Sequence, residues 1–267
     1  MRRLTRADRR LIFSAPRPAS GFTSAMVTAC GLRLHVRQRP DAEGTPWVLL
    51  HGLAVSHRYL MPTAAALPGP VYVPDLPGFG HSAKPGRVFD VAEHADLIAS
   101  WMDVAGLTRA HVLGNSFGCQ VAVELAVRRP DLVASLVLVG PTVDPAAPTA
   151  GGQAGRFVRD LLWEDPRQLP MIATDVLDAG LGRVLRTLRH SVDHRIDQRL
   201  PLVTAPVLVL RGEHDRIAPA GWTAQAAGLA QAGRTGEIPG AAHNAITTAG
   251  PATAAGAVMF VRAAIPT

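Results

Sequence analysis

The sequence is poor in cysteine and has no long hydrophobic run. Its 267 residues include only Cys30 and Cys119, too few for a disulfide framework, which favours a reducing compartment. No stretch approaches the roughly 18 consecutive apolar residues of a membrane span, so we expect no transmembrane helix. Hydrophobic residues nevertheless make up 48% of the chain, which excludes a disordered protein and allows a sizeable core.

Lysine is also nearly absent, because Lys84 is the single lysine among 27 basic residues. The net charge of +6 would suit a nucleic-acid or membrane-surface partner. However, residues 1–39 hold nine arginines and one acid, Asp8, whereas residues 40–267 have a net charge of −2. The positive charge is thus concentrated in an N-terminal arm, predicted at residues 1–23, and we expect no nucleic-acid partner.

The arm contains the twin pair Arg9-Arg10, which could belong to a targeting segment. The apolar run Leu11-Ile12-Phe13 is cut off by Ser14 and Pro16, so the apolar region of about 7–15 residues that defines a signal peptide is missing. We therefore predict a loosely docked arm on a cytoplasmic protein.

From about residue 24 the sequence alternates short apolar runs with helical patterns, which predicts an α/β fold with a mostly parallel sheet. Helices are expected after an N-cap at Asp90, with Glu93 completing a capping box, over Phe117–Arg129, and from about Pro251 onward. The predicted strands are Leu32–Arg37, Trp47–Leu50, Val71–Val73, His111–Leu113, Leu136–Val139 and Val207–Leu210.

The alternation stops between Gly140 and Pro206, where helical patterns at about 156–163, 167–178 and 182–200 follow one another without a strand. An all-helical insertion of this kind is a candidate cap over an active site. We therefore divide the chain into a core, residues 24–141 and 206–267, and a helical cap, residues 142–205.

Basic residues recur on one face of the third cap helix: Arg183, Arg186, Arg189 and His190. One of them could bind a substrate carboxylate through a bidentate contact. A solvated face is the favoured interpretation, because the cap as a whole holds equal numbers of basic and acidic residues.

The pentapeptide Gly114-Asn115-Ser116-Phe117-Gly118 has the form G-x-S-x-G. It follows a predicted strand and opens a predicted helix, which is the setting of a nucleophile elbow. The elbow projects the serine hydroxyl from the edge of the sheet, and the helix N-terminus favours a developing negative charge. Ser116 is therefore the predicted nucleophile, and we expect Cys119, one turn into the helix, to be a buried packing residue.

A serine nucleophile needs a base, and the base needs an acid to orient it. Asp215 follows the predicted strand Val207–Leu210, and His243 lies after a glycine-bearing turn just before the last helix. The order serine, acid, histidine matches this architecture. Glu213 and Asp144 remain alternative acids, with Asp144 the stronger of the two.

The strand Trp47–Leu50 runs into His51-Gly52-Leu53 at the same edge of the sheet. An oxyanion hole in this setting uses a backbone N–H from such a loop and that of the residue after the nucleophile. We predict the N–H groups of Leu53 and Phe117 for this role and assign His51 a structural one.

With these motifs the sequence resembles the α/β-hydrolase superfamily, in the branch with a single His-Gly oxyanion motif, a D-x-x-G-x-G-x-S loop at Asp75–Ser82 and a helical cap after the sixth strand. The resemblance implies an eight-stranded, mostly parallel sheet flanked by helices. It further implies an acyl-enzyme cycle in which Ser116 attacks a carbonyl, His243 takes its proton and Asp215 holds His243. No cofactor and no metal are implied.

The resemblance also separates candidate reactions. Haloalkane dehalogenases and epoxide hydrolases of this branch carry aspartate where this sequence has Ser116. Hydrolases that cleave carbon–carbon bonds typically have tryptophan after the catalytic histidine, where this sequence has Asn244. We therefore predict a hydrolase of small or medium carboxylic esters, with three alternatives: carbon–carbon cleavage of a dienoate ring-cleavage product, perhydrolysis, and a ligand receptor with slow turnover. The oligomeric state stays open.

Overall fold

A computed structural model describes residues 21–160 and 163–264, so most of the predicted N-terminal arm lies outside the described residues. The strands are Thr23–Ala29 (β1), Leu32–Arg39 (β2), Trp47–Leu50 (β3), Val71–Pro74 (β4), Ala110–Asn115 (β5), Val133–Val139 (β6), Val207–Gly212 (β7) and Gly233–Ile238 (β8). These eight strands form one sheet in the order β1-β2-β4-β3-β5-β6-β7-β8, and β2 alone runs antiparallel to both of its neighbours. This confirms the predicted α/β-hydrolase type of sheet.

Alternate residues of a strand point to opposite faces of the sheet. Both faces are apolar here, and helices cover both of them. The helices are His57–Ala66 (α1), Val91–Val104 (α2), Phe117–Arg128 (α3), Ala150–Asp160 (α4), Leu169–Ala179 (α5), Leu181–Asp193 (α6), Ile196–Arg199 (α7), Ala220–Leu229 (α8), Ala245–Thr248 (α9) and Gly250–Ala264 (α10). Val48 and Leu50 pack into one core with α2, α3 and α8, while Trp47 and Leu49 pack into a second core with α1 and α10.

The start of α2 follows from its sequence. The Asp90 carboxylate accepts the Glu93 N–H at 2.8 Å, and the Glu93 carboxylate accepts the Asp90 N–H at 3.0 Å. This is the predicted capping box, which satisfies two backbone donors that a helix N-terminus would otherwise leave free. None of the helices in the described ranges is long and apolar enough to cross a membrane.

Within the described residues, the segment between β6 and β7 contains helices only, in agreement with a helical cap. The single helix expected over 182–200 is instead two helices, α6 and α7. They separate at His194, which has extended backbone angles and whose imidazole lies 3.0 Å from the Glu124 carboxylate of α3. The buried residues Ser191 and Gln120 form two more hydrogen bonds between α6 and α3. These contacts attach the C-terminal end of α6 to the core, and the helix ends there.

Candidate active site

Ser116 stands at the sharp turn between β5 and α3. Its φ of 53° lies in the left-handed region, which costs a residue other than glycine about 1–3 kcal/mol and is found mainly at functional sites. The turn is held by a hydrogen bond of 3.0 Å from the Ser116 N–H to the carbonyl of Val139 on β6. The side chain is half-buried, as expected for a hydroxyl offered at the edge of the sheet.

The glycines on either side of the elbow are required by close backbone contacts. A Cβ on Gly114 would lie 2.5 Å from the carbonyl oxygen of Gly118, and a Cβ on Gly118 would lie 2.2 Å from that of Leu50. Real side chains do not tolerate such contacts. The motif G-x-S-x-G therefore allows α3 to pack directly against β3 and β5.

Replacing Gly118 with alanine is expected to lower the free energy of unfolding by about 1–3 kcal/mol, because the new methyl group meets a rigid backbone carbonyl. Gly228→Ala is the matched control, since a Cβ there meets nothing within 4 Å and alanine should stabilise the helix by about 0.5–1 kcal/mol. Urea unfolding of both variants measures the difference. Equal stabilities would contradict the steric role of Gly118.

The predicted acid and base are in contact. His243 Nδ1 lies 3.0 Å from Asp215 Oδ2, and both side chains are buried. The other carboxylate oxygen, Asp215 Oδ1, accepts the N–H groups of Ile217 and Ala218, each at 2.8 Å. The pair packs against Gly140 at the end of β6, where a Cβ would come within 2.9 Å of the imidazole. The carboxylate is therefore fixed at one oxygen and presents the other to His243.

The alternative acids have other partners. Glu213 accepts the backbone N–H of Gly240 at 2.8 Å, and Asp144 forms an ion pair of 2.6 Å with Arg156. Asp215 is thus the one among the three predicted acids whose carboxylate hydrogen-bonds to His243.

The predicted oxyanion donors lie on the loop after β3 and at the first residue of α3. A Cβ on Gly52 would lie 3.3 Å from Ser116 Cβ, so the loop that carries Leu53 runs beside the serine. Within the described part of the chain, neither the Leu53 N–H nor the Phe117 N–H donates a hydrogen bond to another protein group. Both groups are therefore available to a ligand oxygen.

His51 is buried and serves the loop rather than the reaction. Its Nε2 accepts the backbone N–H of Leu76 at 2.9 Å, so Nδ1 carries the proton and donates to the Gly52 carbonyl at 2.8 Å. Burial lowers the pKa of His51, which keeps the imidazole neutral in this arrangement. The geometry agrees with the structural role expected for it.

The loop that begins at Asp75 is organised around the buried Asp75 carboxylate. It accepts hydrogen bonds from the imidazoles of His35 and His57 and from the N–H of His81, at 2.8 to 3.0 Å. Burial raises the pKa of Asp75, but these imidazoles more than offset this and hold the pKa well below its usual value. His35, His57 and Asp75 are also close enough to share a metal ion, yet their facing atoms are already hydrogen-bonded to one another. Sequence reasoning missed this cluster.

Two further predictions concern Cys119 and the arginines of α6. Cys119 is fully buried, and burial raises the pKa of its thiol, which fits a packing residue. Arg186 and Arg189 are exposed, as expected for a solvated face. Arg183 differs, because its guanidinium turns toward the core, contacts Gly78 and donates to the carbonyl of Pro85 at 2.7 Å.

The carboxylates around His243 favour the protonated form of its imidazole. Burial alone would lower the pKa of His243, but the charge and hydrogen bond of Asp215, together with Asp160 and Glu164 of the cap, raise it to about 9. An imidazolium flanked by carboxylates is the form that follows removal of a proton from the serine. The two cap carboxyls were not among the residues predicted from the sequence.

Residues 45–202 match the model of a family described as having the alpha/beta hydrolase fold. The chain belongs to this family. Over 210 residues it is 33% identical to a pimeloyl-[acyl-carrier protein] methyl ester esterase of Neisseria meningitidis serogroup B. The alignment covers 68% of this chain and 79% of the esterase. This alpha/beta-family protein is therefore a hydrolase.

Two other comparisons cover different shares of this chain. A haloalkane dehalogenase of Mycobacterium marinum is 34% identical over 127 residues, 45% of this chain and 43% of the dehalogenase, so this chain spans less than half the length of that relative. A thermophilic esterase from Thermogutta terrifontis superposes with a TM-score of 0.76 at 22% identity, covering 91% of this chain and 100% of the esterase. At that identity the likeness establishes the fold.

Proposed function

We propose that this member of the alpha/beta hydrolase family cleaves a small or medium carboxylic ester through an acyl-enzyme formed on Ser116. One observation carries the proposal: a buried, hydrogen-bonded pair of His243 and Asp215 lies at the same sheet edge as a serine in the left-handed conformation. A serine hydroxyl is activated by a base that a carboxylate orients, and these residues supply all three groups at one edge of the sheet.

The proposed reaction follows from the hydrogen bonds. In its neutral form His243 donates from Nδ1 to Asp215. Nε2 then carries a lone pair and takes the proton from Ser116 Oγ as that oxygen attacks the ester carbonyl. The N–H groups of Leu53 and Phe117 would stabilise the tetrahedral oxyanion. His243 then protonates the leaving alcohol, and a water activated by the same base releases the acid.

The ester assignment is supported by relatives and by the residue after His243. A relative that aligns over 68% of this chain is named as a methyl ester esterase. Asn244 occupies the position where carbon–carbon bond hydrolases are expected to have tryptophan, and its side chain accepts a hydrogen bond from Tyr59. The chain has only two cysteines, which supports a cytoplasmic enzyme. Residues 40–267 have a net charge of only −2, which supports a small molecule as the substrate rather than a nucleic acid.

Activity-based labelling tests the proposed function. A fluorophosphonate probe should form one adduct, located at Ser116 by peptide mass spectrometry, and p-nitrophenyl esters should be hydrolysed over many turnovers. A dienoate ring-cleavage product, offered in parallel, should keep its yellow chromophore. Labelling at another residue would refute the nucleophile, bleaching of the dienoate with inert esters would favour carbon–carbon cleavage, and a single turnover would favour a receptor.

A further inference from the structure

Two carboxyls of the cap contact the loops that carry the proposed acid and base. Asp160, the last residue of α4, accepts the backbone N–H of Arg216 at 3.0 Å. Glu164, four residues later, accepts the backbone N–H of Asn244 at 2.7 Å. Arg216 directly follows Asp215 and Asn244 directly follows His243, so each cap carboxyl holds the residue next to a member of the proposed triad.

The contacts are sheltered from solvent and are reinforced on both sides. Asp160 is only 2% exposed, and Glu164 is half-buried, with its second oxygen 3.3 Å from the side-chain amide of Gln168. Trp163, between the two carboxyls, stacks on His214 at a centroid distance of 4.6 Å and lies under the guanidinium of Arg216. Asp160 at the end of α4, together with Trp163 and Glu164, therefore contacts the loops of the acid and the base.

We propose that Asp160 and Glu164 are positioning residues that lock the Asp215 loop and the His243 loop in catalytic register through these two backbone hydrogen bonds. The inference rests on the proposed function, because it assigns the two carboxyls a role only if His243 is the base. It makes the cap part of the catalytic scaffold.

A backbone N–H near the reacting groups needs an acceptor, and an ionised carboxylate makes the stronger hydrogen bond. Without that acceptor the His243 loop gains freedom, and displacement of a catalytic group by about 1 Å can cost about 100-fold in rate. The substrate is bound elsewhere in this scheme, so the loss should fall on kcat rather than on KM.

The two carboxyls also place negative charge near the base. Burial first, and then the neighbouring Asp160, raise the pKa of Glu164 to about 7, and burial likewise raises the pKa of Asp160. The ionised form of Glu164 holds the His243 proton more tightly, because the negative charge stabilises the imidazolium. The titratable and charged groups facing this pair are Asp215, His243, Tyr59, His214 and Arg216.

Four variants test the inference: Glu164→Ala, Asp160→Ala, and the isosteres Glu164→Gln and Asp160→Asn, which keep an acceptor oxygen but lose the charge. The alanine variants should lower kcat for p-nitrophenyl ester hydrolysis by about 10- to 100-fold with KM within about twofold. The isosteres should recover most of kcat. In Glu164→Gln the acidic limb of kcat/KM should move to lower pH, since His243 loses a neighbouring negative charge.

Asp178→Ala is the control, because Asp178 is an exposed cap carboxylate whose partner is Lys84 at 3.0 Å, and it should behave as the unmodified enzyme. Alanine variants with unchanged kcat would overturn the inference. If those variants do not fold, an unshifted pH limb in Glu164→Gln would overturn it instead. Ser116→Ala separates the two levels: an active Ser116→Ala refutes the proposed function, whereas an inactive one beside normal cap variants refutes the positioning role alone.

Discussion

Ser116→Ala will lower kcat for p-nitrophenyl ester hydrolysis by a factor on the order of 10⁶. The expected loss is this large because the nucleophile, the base and the acid act as one unit. Without the serine hydroxyl, His243 and Asp215 have no nucleophile to activate. The remaining activity would come from the oxyanion donors and substrate binding. Steady-state kinetics, with fluorophosphonate labelling of the same preparation, measure the loss.

The backbone of the elbow offers a control for this prediction. Ser116 has a φ of 53°, which glycine adopts without strain and alanine does not. Ser116→Gly should therefore be as inactive as Ser116→Ala but melt at a higher temperature. Cys119→Ala, which removes the other nucleophilic side chain in this turn, should retain activity. An active Ser116→Ala, or an inactive Cys119→Ala with a normal melting temperature, would contradict the assignment of the nucleophile.

The parts of the fold predicted from the sequence are those that depend on local signals. The strand Trp47–Leu50 and the capping box at Asp90 were predicted at their observed positions because an apolar run and an N-cap pattern mark them directly. Strand β8 was missed. It contains two glycines and three polar residues and pairs only with β7 at the edge of the sheet, so its sequence carries no apolar pattern and its strand state depends on the neighbour.

The same distinction applies to the candidate site. The order of Ser116, Asp215 and His243 is visible in the sequence because each follows a strand or precedes a helix in a recognisable way. The contact between Glu164 and Asn244 joins residues 80 positions apart, and nothing in the local sequence of the cap distinguishes Glu164 from other acids. Asp215 was preferred to Asp144 from the sequence alone, whereas the ion pair that Asp144 forms with Arg156 is visible only in the structure.

Asp215→Asn will lower kcat by about 10⁴-fold, because the amide imposes the wrong tautomer on the base. The N–H groups of Ile217 and Ala218 point at the Oδ1 position, so the asparagine must place its oxygen there. Its NH₂ group then faces His243 Nδ1, which has to accept a hydrogen bond rather than donate one. The imidazole proton moves to Nε2, so that this nitrogen can no longer take the proton of Ser116 Oγ.

The pH profile of the same variant gives an independent measurement. The unmodified enzyme should show an acidic limb of kcat/KM near the His243 pKa of about 9, since the base works only when neutral. Asparagine removes the charge and the hydrogen bond that raise this pKa, so the limb must move to lower pH while the plateau falls. Asp144→Asn is the matched control, because Asp144 pairs with Arg156, and its limb should stay in place. A limb near pH 9 in Asp215→Asn, or a shifted limb in Asp144→Asn, would assign the orienting role to a different carboxylate.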